Sequence, residues 1–493
     1  MTSLTRATIW AIKDTAFFMI IVLHTPIVRA KHVHDNYQQS CSSGCGSVVP
    51  VFLISNNKTT TQAVAMAELL TLSADVIDGR IELAQAGPLN RITHEFSELN
   101  ARVGMVEAFS HSIVFRTDAG LVAFDTSNEH GGERCVNAIR QWDKAPFHSI
   151  IFTHGHIDHV GGCGAFIDKS HSTHVIAHEN VARRFERYRL TNGYNHVINE
   201  RQFGQFRRRG YDLAGQAQFL PETTPEPDIT YSHHHALKVA DTLFELHHAK
   251  GETDDHTWAW IPSERAICAG DFFIWAFPNA GNPQKAQRYP REWAAALRTM
   301  AAMEAELFLP AHGLPIAGKD RIQRVLSDVA NALESLVHQT LALMNEGARL
   351  NDVIHSVQLD AEVLAKPWLA PVYDEPEFVV RNIWRLYGGW YDGNPAHLKP
   401  APERSLAQEL ARLAGGAQVL AERGQALSEV DPRLACHLAE LAALAAPDDP
   451  DIHRLRAAIY QQRRSHETSL MAKGIFGAAT NESLQKSGEN SVS

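Results

Sequence analysis

Short apolar runs alternate with segments of helical spacing over the first half of the chain. Two of the runs, 111–115 and 121–124, flank turn residues at 117–120 and predict a β-hairpin. The other runs that predict strands are 149–153, 175–177, 243–246 and 266–269. Because helical spacing at 135–142 and 180–189 interrupts the strands, the pattern predicts a layered α/β domain or an αββα sandwich.

The pattern becomes entirely helical beyond about residue 320. Residues 322–344 have the spacing of one long amphipathic helix. Further on, Leu434, Leu438 and Leu441 share a helical face, and the prolines within 447–450 end that helix before another begins. The end of the chain therefore predicts an all-α domain with a helical hairpin.

These changes divide the chain into five predicted parts. The parts are a leader or linker at 1–60, a layered domain at 61–345, a connecting segment at 346–402, an all-α domain at 403–478 and a disordered tail at 479–493. In the leader, Arg6 and Lys13 precede an apolar run at 16–22, a pattern similar to a signal peptide. The alternative is an extension on a cytoplasmic protein, so the sequence leaves export open.

Composition narrows the classes of partner. The formal net charge of −10 disfavours nucleic acid, because a phosphate backbone attracts basic proteins. Six cysteines in 493 residues do not form a disulfide framework, and no stretch of the sequence is long and apolar enough for a permanent membrane span. The 27 histidines raise the expectation of a metal site, since imidazole is the commonest metal ligand.

One short motif carries the chemistry. Residues 153–159, Thr-His-Gly-His-Ile-Asp-His, follow a predicted buried strand and precede Gly161 and Gly162. His154 and His156 can converge on one ion, and Asp158 and His159 can face a second. Two ions can hold a bridging hydroxide, lower its pKa and polarise the bond that it attacks. A chance cluster of histidines on the surface would not explain this spacing after a strand.

The motif resembles the metal-binding loop of the metallo-β-lactamase superfamily. That resemblance implies four further features: Glu252 in the place of a usual histidine ligand, Asp271 as a bridging carboxylate, His312 as the last ligand, and Asp125 as a structural aspartate beside the loop. Asp254, Asp255 and His256 are rivals of Glu252. The implied cofactors are two Zn²⁺ ions, although a mixed nitrogen and oxygen site also suits other divalent metals.

Two features resemble the alkyl sulfatase branch of this superfamily. One is Glu252 itself, and the other is the segment Gly-Trp-Tyr-Asp-Gly-Asn-Pro at 389–395, which is similar to the junction before that branch's dimerisation domain. The resemblance implies a catalytic domain at 61–345, a dimerisation domain at 403–478 and a homodimer. The chain differs from the branch in having aspartate at 271, and we expect no sterol-carrier-like domain after the helices.

The polar loop 279–289, which follows Asp271, holds the candidate substrate residues. They are Asn282, Lys285, Arg288 and Tyr289, with Asp158 from the metal loop as a further catalytic candidate. Lys285 or Arg288 would neutralise a sulfate, or would instead pair with acidic surface groups. Tyr194, Asn195 and Arg201 form a second candidate patch, whereas Cys163 and the histidine runs 233–235 and 247–248 are interpreted as packing, surface or supporting residues.

The predicted function is hydrolysis of an alkyl sulfate ester by a metal-activated water. A lactone, thioester or β-lactam hydrolase of the same superfamily is the alternative within this enzyme class. The alternative outside it is a scaffold protein with a vestigial metal site. The sequence does not identify the alkyl chain or the general acid.

Overall fold

The computed structural model describes residues 58–87, 89–168, 170–203 and 218–490. The signal-like segment, Cys41 and Cys45 lie outside these residues. Within them, no helix has both the length and the apolar character that a bilayer crossing requires. Four cysteines are described, and all four are free thiols.

The first β-sheet has seven strands in the order in which they occur along the chain. They are β1 (Phe96–Glu98), β2 (Val103–Val106), β3 (Ser112–Thr117), β4 (Gly120–Phe124), β5 (Phe147–Ile151), β6 (His174–His178) and β7 (Ile229–Tyr231). The predicted hairpin is confirmed, because β3 and β4 pair antiparallel with Thr117 opposite Gly120. Strands β4 to β7 then run parallel, so their carboxyl ends lie at one edge.

The second β-sheet has six strands in the order β13-β12-β11-β10-β9-β8. Its strands are β8 (His234–Val239), β9 (Thr242–His248), β10 (Thr257–Ile261), β11 (Ala266–Gly270), β12 (Leu307–Pro310) and β13 (Ile316–Ala317). Only β11 and β12 pair parallel, and this brings the ends of these two strands side by side. The sequence pattern predicted β9 and β11 but missed their neighbours, of which β8 has its apolar positions separated by histidine and lysine.

Among the described residues, seven α-helices belong to the layered half. They are α1 (Lys58–Ile77), α2 (Glu129–Trp142), α3 (Ile157–Val160), α4 (Asn180–Leu190), α5 (Asn192–Phe203), α6 (Pro290–Ala302) and α7 (Lys319–Asn345). Phe115 and Phe124 of the first sheet meet Phe244 of the second, with ring centroids 5.5 and 6.2 Å from Phe244. Helices α2 and α4 cover the outer face of the first sheet, while α6 and α7 pack with the second. The predicted αββα sandwich is confirmed.

The remaining helices follow α7. They are α8 (Leu350–Ser356), α9 (Ala361–Leu364), α10 (Pro376–Gly388), α11 (Pro395–Leu398), α12 (Glu403–Ala414), α13 (Ala417–Leu427), α14 (Pro432–Ala445), α15 (Pro450–His466) and α16 (Leu470–Ser487). The predicted helical hairpin corresponds to α14 and α15, each with an aspartate as N-cap and proline as first residue. The all-α end of the chain is thus confirmed.

Two details of this region differ from the expectation. Alanines fill the buried face of α14, including Ala435, Ala439 and Ala442, whereas Leu434 is exposed. Small side chains let neighbouring helices approach closely, while Leu438 and Leu441 are partly buried against the same core. In addition, α16 extends to Ser487, so residues 479–487 are helical although a disordered tail was predicted from 479.

The contact between α16 and α5 generates a test of the packing. A Cβ added at Gly474 would overlap the carbonyl oxygen of Gln202. We expect Gly474→Ala to cost about 1–3 kcal/mol of stability, as overpacking does, and to lower the Tm in calorimetry. Gly193→Ala is the matched control on α5, because its Cβ meets nothing within 4 Å. Equal melting of the two variants would contradict the tight contact.

Candidate metal centre

Loops that follow five strands carry the predicted site residues. The strand ends and the residues after them are β4 with Asp125, β5 with His154, β9 with Glu252, β11 with Asp271 and β12 with His312. The loops from both sheets meet at one edge of the sandwich, where seven predicted metal ligands form two adjoining groups. This convergence depends on pairing between distant parts of the chain.

The first group consists of His154, His156, Glu252 and Asp271, whose ligand atoms all lie within 4.8 Å of one another. His154 Nε2 lies 2.8 Å from His156 Nδ1 and 3.9 Å from Asp271 Oδ2. His156 Nδ1 lies 3.5 Å from Glu252 Oε1. Two imidazole nitrogens and two carboxylate oxygens thus point into one small space.

The second group consists of Asp158, His159 and His312. The Nε2 atoms of both histidines lie 3.5 Å from Asp158 Oδ2. The same two atoms lie 3.4 Å from Asp271 Oδ1. Asp271 therefore faces one group with each of its carboxylate oxygens, which is the placement of a bridging ligand.

Unpartnered buried atoms indicate what this arrangement suits. His159 Nε2, Glu252 Oε2 and Asp271 Oδ1 are buried and have no hydrogen-bond partner among the described residues. Leaving such atoms unpaired costs about 1–3 kcal/mol each, and more for charged groups. A divalent cation would satisfy nitrogen and carboxylate donors together, so the donor set fits divalent metal binding.

The electrostatics of the first group also favour a cation. Burial, followed by the repulsion from neighbouring charged residues, holds the pKa of His154 and of His156 well below the usual value. Neutral imidazoles keep a lone pair for a metal. Burial and the charge of Asp271 raise the pKa of Glu252 well above its usual range, and a bound cation would reverse that shift.

In the second group, opposite charges prevail over burial. Burial alone would lower the pKa of His159, but Asp271 and Asp158 raise it well above the usual value. Burial would likewise raise the pKa of Asp271, yet His159 and His312 hold it well below. The carboxylates of this group therefore favour a positive charge beside them.

Asp125 fixes the metal loop from behind, as the resemblance implied. Its Oδ1 accepts from the Thr153 N–H at 2.8 Å, and its Oδ2 accepts from Thr153 Oγ1 at 2.7 Å. Asp125 Oδ2 also lies 2.8 Å from His159 Nδ1, which leaves Nε2 directed at the second group. A hydrogen bond of this kind sets the tautomer and orientation of a ligating histidine.

The three rivals of Glu252 have other partners. Arg184 on α4 binds Asp254 at 2.5 Å and Asp255 at 2.7 Å. His256 Nε2 accepts the backbone N–H of Asp271 at 3.1 Å, so it orients the bridging residue. Sequence reasoning missed Arg184, because nothing in the charged pattern of α4 distinguishes it from the surface arginines nearby.

The loop 279–289 adjoins the first group through Glu252. Arg288 is buried, and its Nη2 lies 3.2 Å from Glu252 Oε1, while Asn279 Nδ2 donates to the same oxygen. Arg288 Nε has no hydrogen-bond partner among the described residues. The predicted alternative, in which Arg288 pairs with the acidic surface, does not describe its position.

Lys285 lies in the same loop and is partly buried. Its Nζ donates to Asn199 Oδ1 on α5 at 2.8 Å. Burial, with the repulsion of Arg288, lowers the pKa of Lys285 to about 7. Arg288 therefore contacts the candidate metal centre directly, and Lys285, from the same loop, has a pKa near neutral pH.

The other candidates in this loop have structural partners. Asp374 accepts the backbone N–H groups of Gly281 at 2.6 Å and of Asn282 at 3.1 Å, although sequence reasoning gave Asp374 no role. The Asn282 side chain donates to Asn279 Oδ1 at 3.3 Å. Tyr289 lies with its ring centroid 5.1 Å from Lys250 Nζ, and burial raises its pKa.

The three residues of the second candidate patch lie on α5, but they do not share one environment. Tyr194 is exposed, Asn195 is buried, and Arg201 Nη1 donates to Gln284 Oε1 at 3.1 Å. Cys163 is buried in the core beneath the first sheet. The histidines of 233–235 and 247–248 are absent from both ligand groups described above.

Comparison with known proteins agrees with this geometry. Residues 106–312 match the profile of the Metallo-beta-lactamase superfamily, and the chain belongs to that superfamily. Residues 349–486 match the profile called Alkyl sulfatase dimerisation, which starts within the predicted connecting segment. The chain is thus a member of the alkyl sulfatase-like branch, with a dimerisation region after its sandwich domain.

Individual relatives are distant in sequence. A linear primary-alkylsulfatase of a Pseudomonas species is 26% identical over 70% of this chain and 68% of its own length. An (R)-specific secondary-alkylsulfatase, also of a Pseudomonas species, is 24% identical over 71% of this chain and 56% of its own. The chain thus spans about two thirds of the length of the first relative and little more than half of the second.

A solved structure has the same fold. The structure of a stereoselective inverting sec-alkylsulfatase from a Pseudomonas species has a TM-score of 0.69 and 22% identity. The match covers 78% of this chain and 65% of that one. It extends beyond the sandwich, so the helical region is part of the shared architecture.

The contacts of Asp125 generate a test of the metal centre. Asp125→Asn keeps the size of the side chain but removes the charge that orients His159. We expect metal affinity to fall about 10–100-fold, as losses of such supporting contacts do, measured by competition with a chelator. Asp118→Asn, in the exposed β3–β4 turn, is the control and should leave affinity unchanged. Unchanged affinity in Asp125→Asn would refute its orienting role.

Proposed function

We propose that this protein is a metal-dependent hydrolase of alkyl sulfate esters. The observation that carries the proposal is the complete ligand geometry beside two buried or partly buried basic side chains, Lys285 and Arg288. The membership in the alkyl sulfatase-like branch supports the same substrate class. A lactone or thioester is neutral and has less need of two cations at the pocket.

We propose two Zn²⁺ ions as the cofactors. His154, His156 and Glu252 would hold one ion, Asp158, His159 and His312 would hold the other, and Asp271 would bridge them. Bound ions of this kind lower the pKa of water to produce a nucleophile and polarise the ester. The atoms left unpartnered on His159, Glu252 and Asp271 support this assignment.

The protein's own residues would position the substrate. Lys285 would bind the sulfate as an ammonium group, held toward the site by Asn199. Arg288 would keep its charge beside Glu252 and offer its unpartnered Nε. Asn282 and Tyr289 belong to the same loop and would be further contacts to the substrate. Asp374 fixes the backbone of this loop.

The helical region supports a homodimer as the working form. Several large apolar side chains are exposed on this region, and they are Leu398, Leu406, Leu413, Val419, Val430 and Leu434. Where such side chains form one contiguous patch, they suit a second copy of the chain. In this proposal, residues 61–345 form the catalytic domain and residues 403–478 form the dimerisation domain. Residues 346–402 are the segment that connects the two.

The direct test is hydrolysis of a medium-chain alkyl sulfate with and without a chelator. We expect activity that the chelator abolishes and Zn²⁺ restores. The double variant His154→Ala/His156→Ala should lose both hydrolysis and bound zinc in elemental analysis, because it removes two ligands of one ion. The exposed His130→Ala, on α2, is the control and should keep both.

A substrate panel completes this test. Alkyl sulfates, lactones, thioesters and a β-lactam are compared at equal concentration. Turnover of a lactone or thioester without turnover of alkyl sulfates would sink the substrate assignment, and full metal content in the double variant would sink the ligand assignment. Metal-free protein that folds normally and hydrolyses nothing would support the scaffold alternative.

The lowered pKa of Lys285 predicts that substrate binding depends on pH. A pKa of about 7 means that the ammonium form dominates below neutral pH and the neutral amine above it. We therefore expect the KM for an alkyl sulfate to rise as the pH increases through 7. Lys285→Arg should remove this rise, because a guanidinium keeps its charge, with a pKa above about 12. Lys144→Arg, on the exposed surface, should behave as wild type, and an unaltered KM profile in Lys285→Arg would exclude Lys285 as the titrating group.

A further inference from the structure

A second set of metal-binding side chains lies on the hairpin of β8 and β9. His234, Glu245 and His247 each have one ligand atom within 4.8 Å of the other two. None of the three belongs to the catalytic cluster. His234 is exposed, and the side chains of His247 and Glu245 are 29% and 30% exposed, so the set is open to ions from solvent.

The strand geometry places these three side chains together. Glu245 and His247 are two residues apart on β9 and therefore share a face of the sheet. His234 on β8 is the register partner of His247. Phe244 and Leu246 are buried and point to the opposite face, into the core between the sheets. The set thus lies on the outer face, near the edge strand β8.

The ring of His247 is held in position by the next strand. Trp258 on β10 is its register partner, and the two rings are stacked with centroids 4.3 Å apart and an interplanar angle of 16°. On the other side, the ring of His234 has its centroid 4.8 Å from that of His247. A ring fixed in this way loses little freedom when it binds an ion.

One atom of this set is left without a partner. His247 Nε2 is buried and makes no hydrogen bond to any described residue. The nearest carboxylate atom, Glu245 Oε2, lies 3.8 Å away, which is beyond hydrogen-bond distance. Two ligands of one tetrahedral zinc are about 3.3–3.5 Å apart, so a small side-chain movement would bring both onto an ion.

We propose that His234, Glu245 and His247 form a second metal site, which takes a borderline divalent transition ion of the Zn²⁺ and Cu²⁺ type. Two imidazoles and one carboxylate suit such ions and leave a fourth position for water. The hard ions Mg²⁺ and Ca²⁺ prefer oxygen ligands and are excluded as occupants. The bound ion ties the edge strand β8 to β9.

The test compares the full-length wild type with His234→Gln, which changes an exposed ligand. Both proteins are stripped by a chelator, loaded with Zn²⁺, separated from free metal and analysed for zinc per chain. We expect His234→Gln to hold one equivalent fewer and to keep its hydrolytic activity. His233→Gln is the matched control, because the neighbouring histidine is outside the set, and it should match the wild type.

A second measurement uses Trp258 as a reporter. Cu²⁺ added at micromolar concentration should quench part of the tryptophan fluorescence of the wild type, because the ion would bind beside the ring stacked on His247. This part of the quenching should be absent from Trp258→Phe and from Glu245→Gln. Equal zinc content in His234→Gln and the wild type, or quenching only at millimolar Cu²⁺, would overturn the proposal.

Discussion

The carboxylate of Asp271 is the interaction on which the arrangement of the site depends. Its Oδ2 faces His154, while its Oδ1 lies 3.4 Å from the Nε2 atoms of both His159 and His312. These partners come from two sheets, so the site forms only when the carboxyl ends of β5, β11 and β12 meet at one edge of the sandwich. The parallel pairing of β11 with β12 places Asp271 beside the turn that carries His312. The layered fold is therefore the condition for the site, because no single segment of the chain supplies all the ligands of either group.

A constraint of charge accompanies this geometry. By the resemblance, Glu252 stands in the place of a usual histidine ligand, and its carboxylate carries a negative charge that a neutral imidazole would not. Arg288, buried at 3.2 Å from Glu252 Oε1, supplies one positive charge at the same place. A buried ion pair costs desolvation energy unless further hydrogen bonds satisfy it, and Asn279 provides one of these to Glu252. The exchange of histidine for glutamate is thus a feature of the loop 279–289 as much as of the metal centre.

The sequence predicted the parts of the site that are local or that a family motif defines. The histidine loop after β5 is a contiguous motif, and the positions of Asp271 and His312 after apolar runs could be found through the resemblance. The supporting contacts could not be predicted in this way. Arg184 and Asp255 are 71 residues apart and Gly281 and Asp374 are 93 apart, and no spacing rule connects such pairs. The leucine spacing predicted an apolar face of α14, but it did not reveal that alanines form the fully buried part of that face.

The helical region also has contacts that lead to the candidate pocket. Ser469 Oγ, at the start of α16, donates to the carbonyl oxygen of Tyr373 at 2.7 Å, next to the aspartate that holds the backbone of the loop 279–289. Further along α16, Gly474 packs against Gln202 of α5, the helix whose Asn199 accepts from Lys285. Two routes therefore connect α16 with the loop that bears the basic side chains. The positions of the candidate metal ligands are set instead by the ends of the strands that precede them. A change in the helical region should thus act first on substrate binding and only later on metal binding, since the loop has the nearer contact with α16.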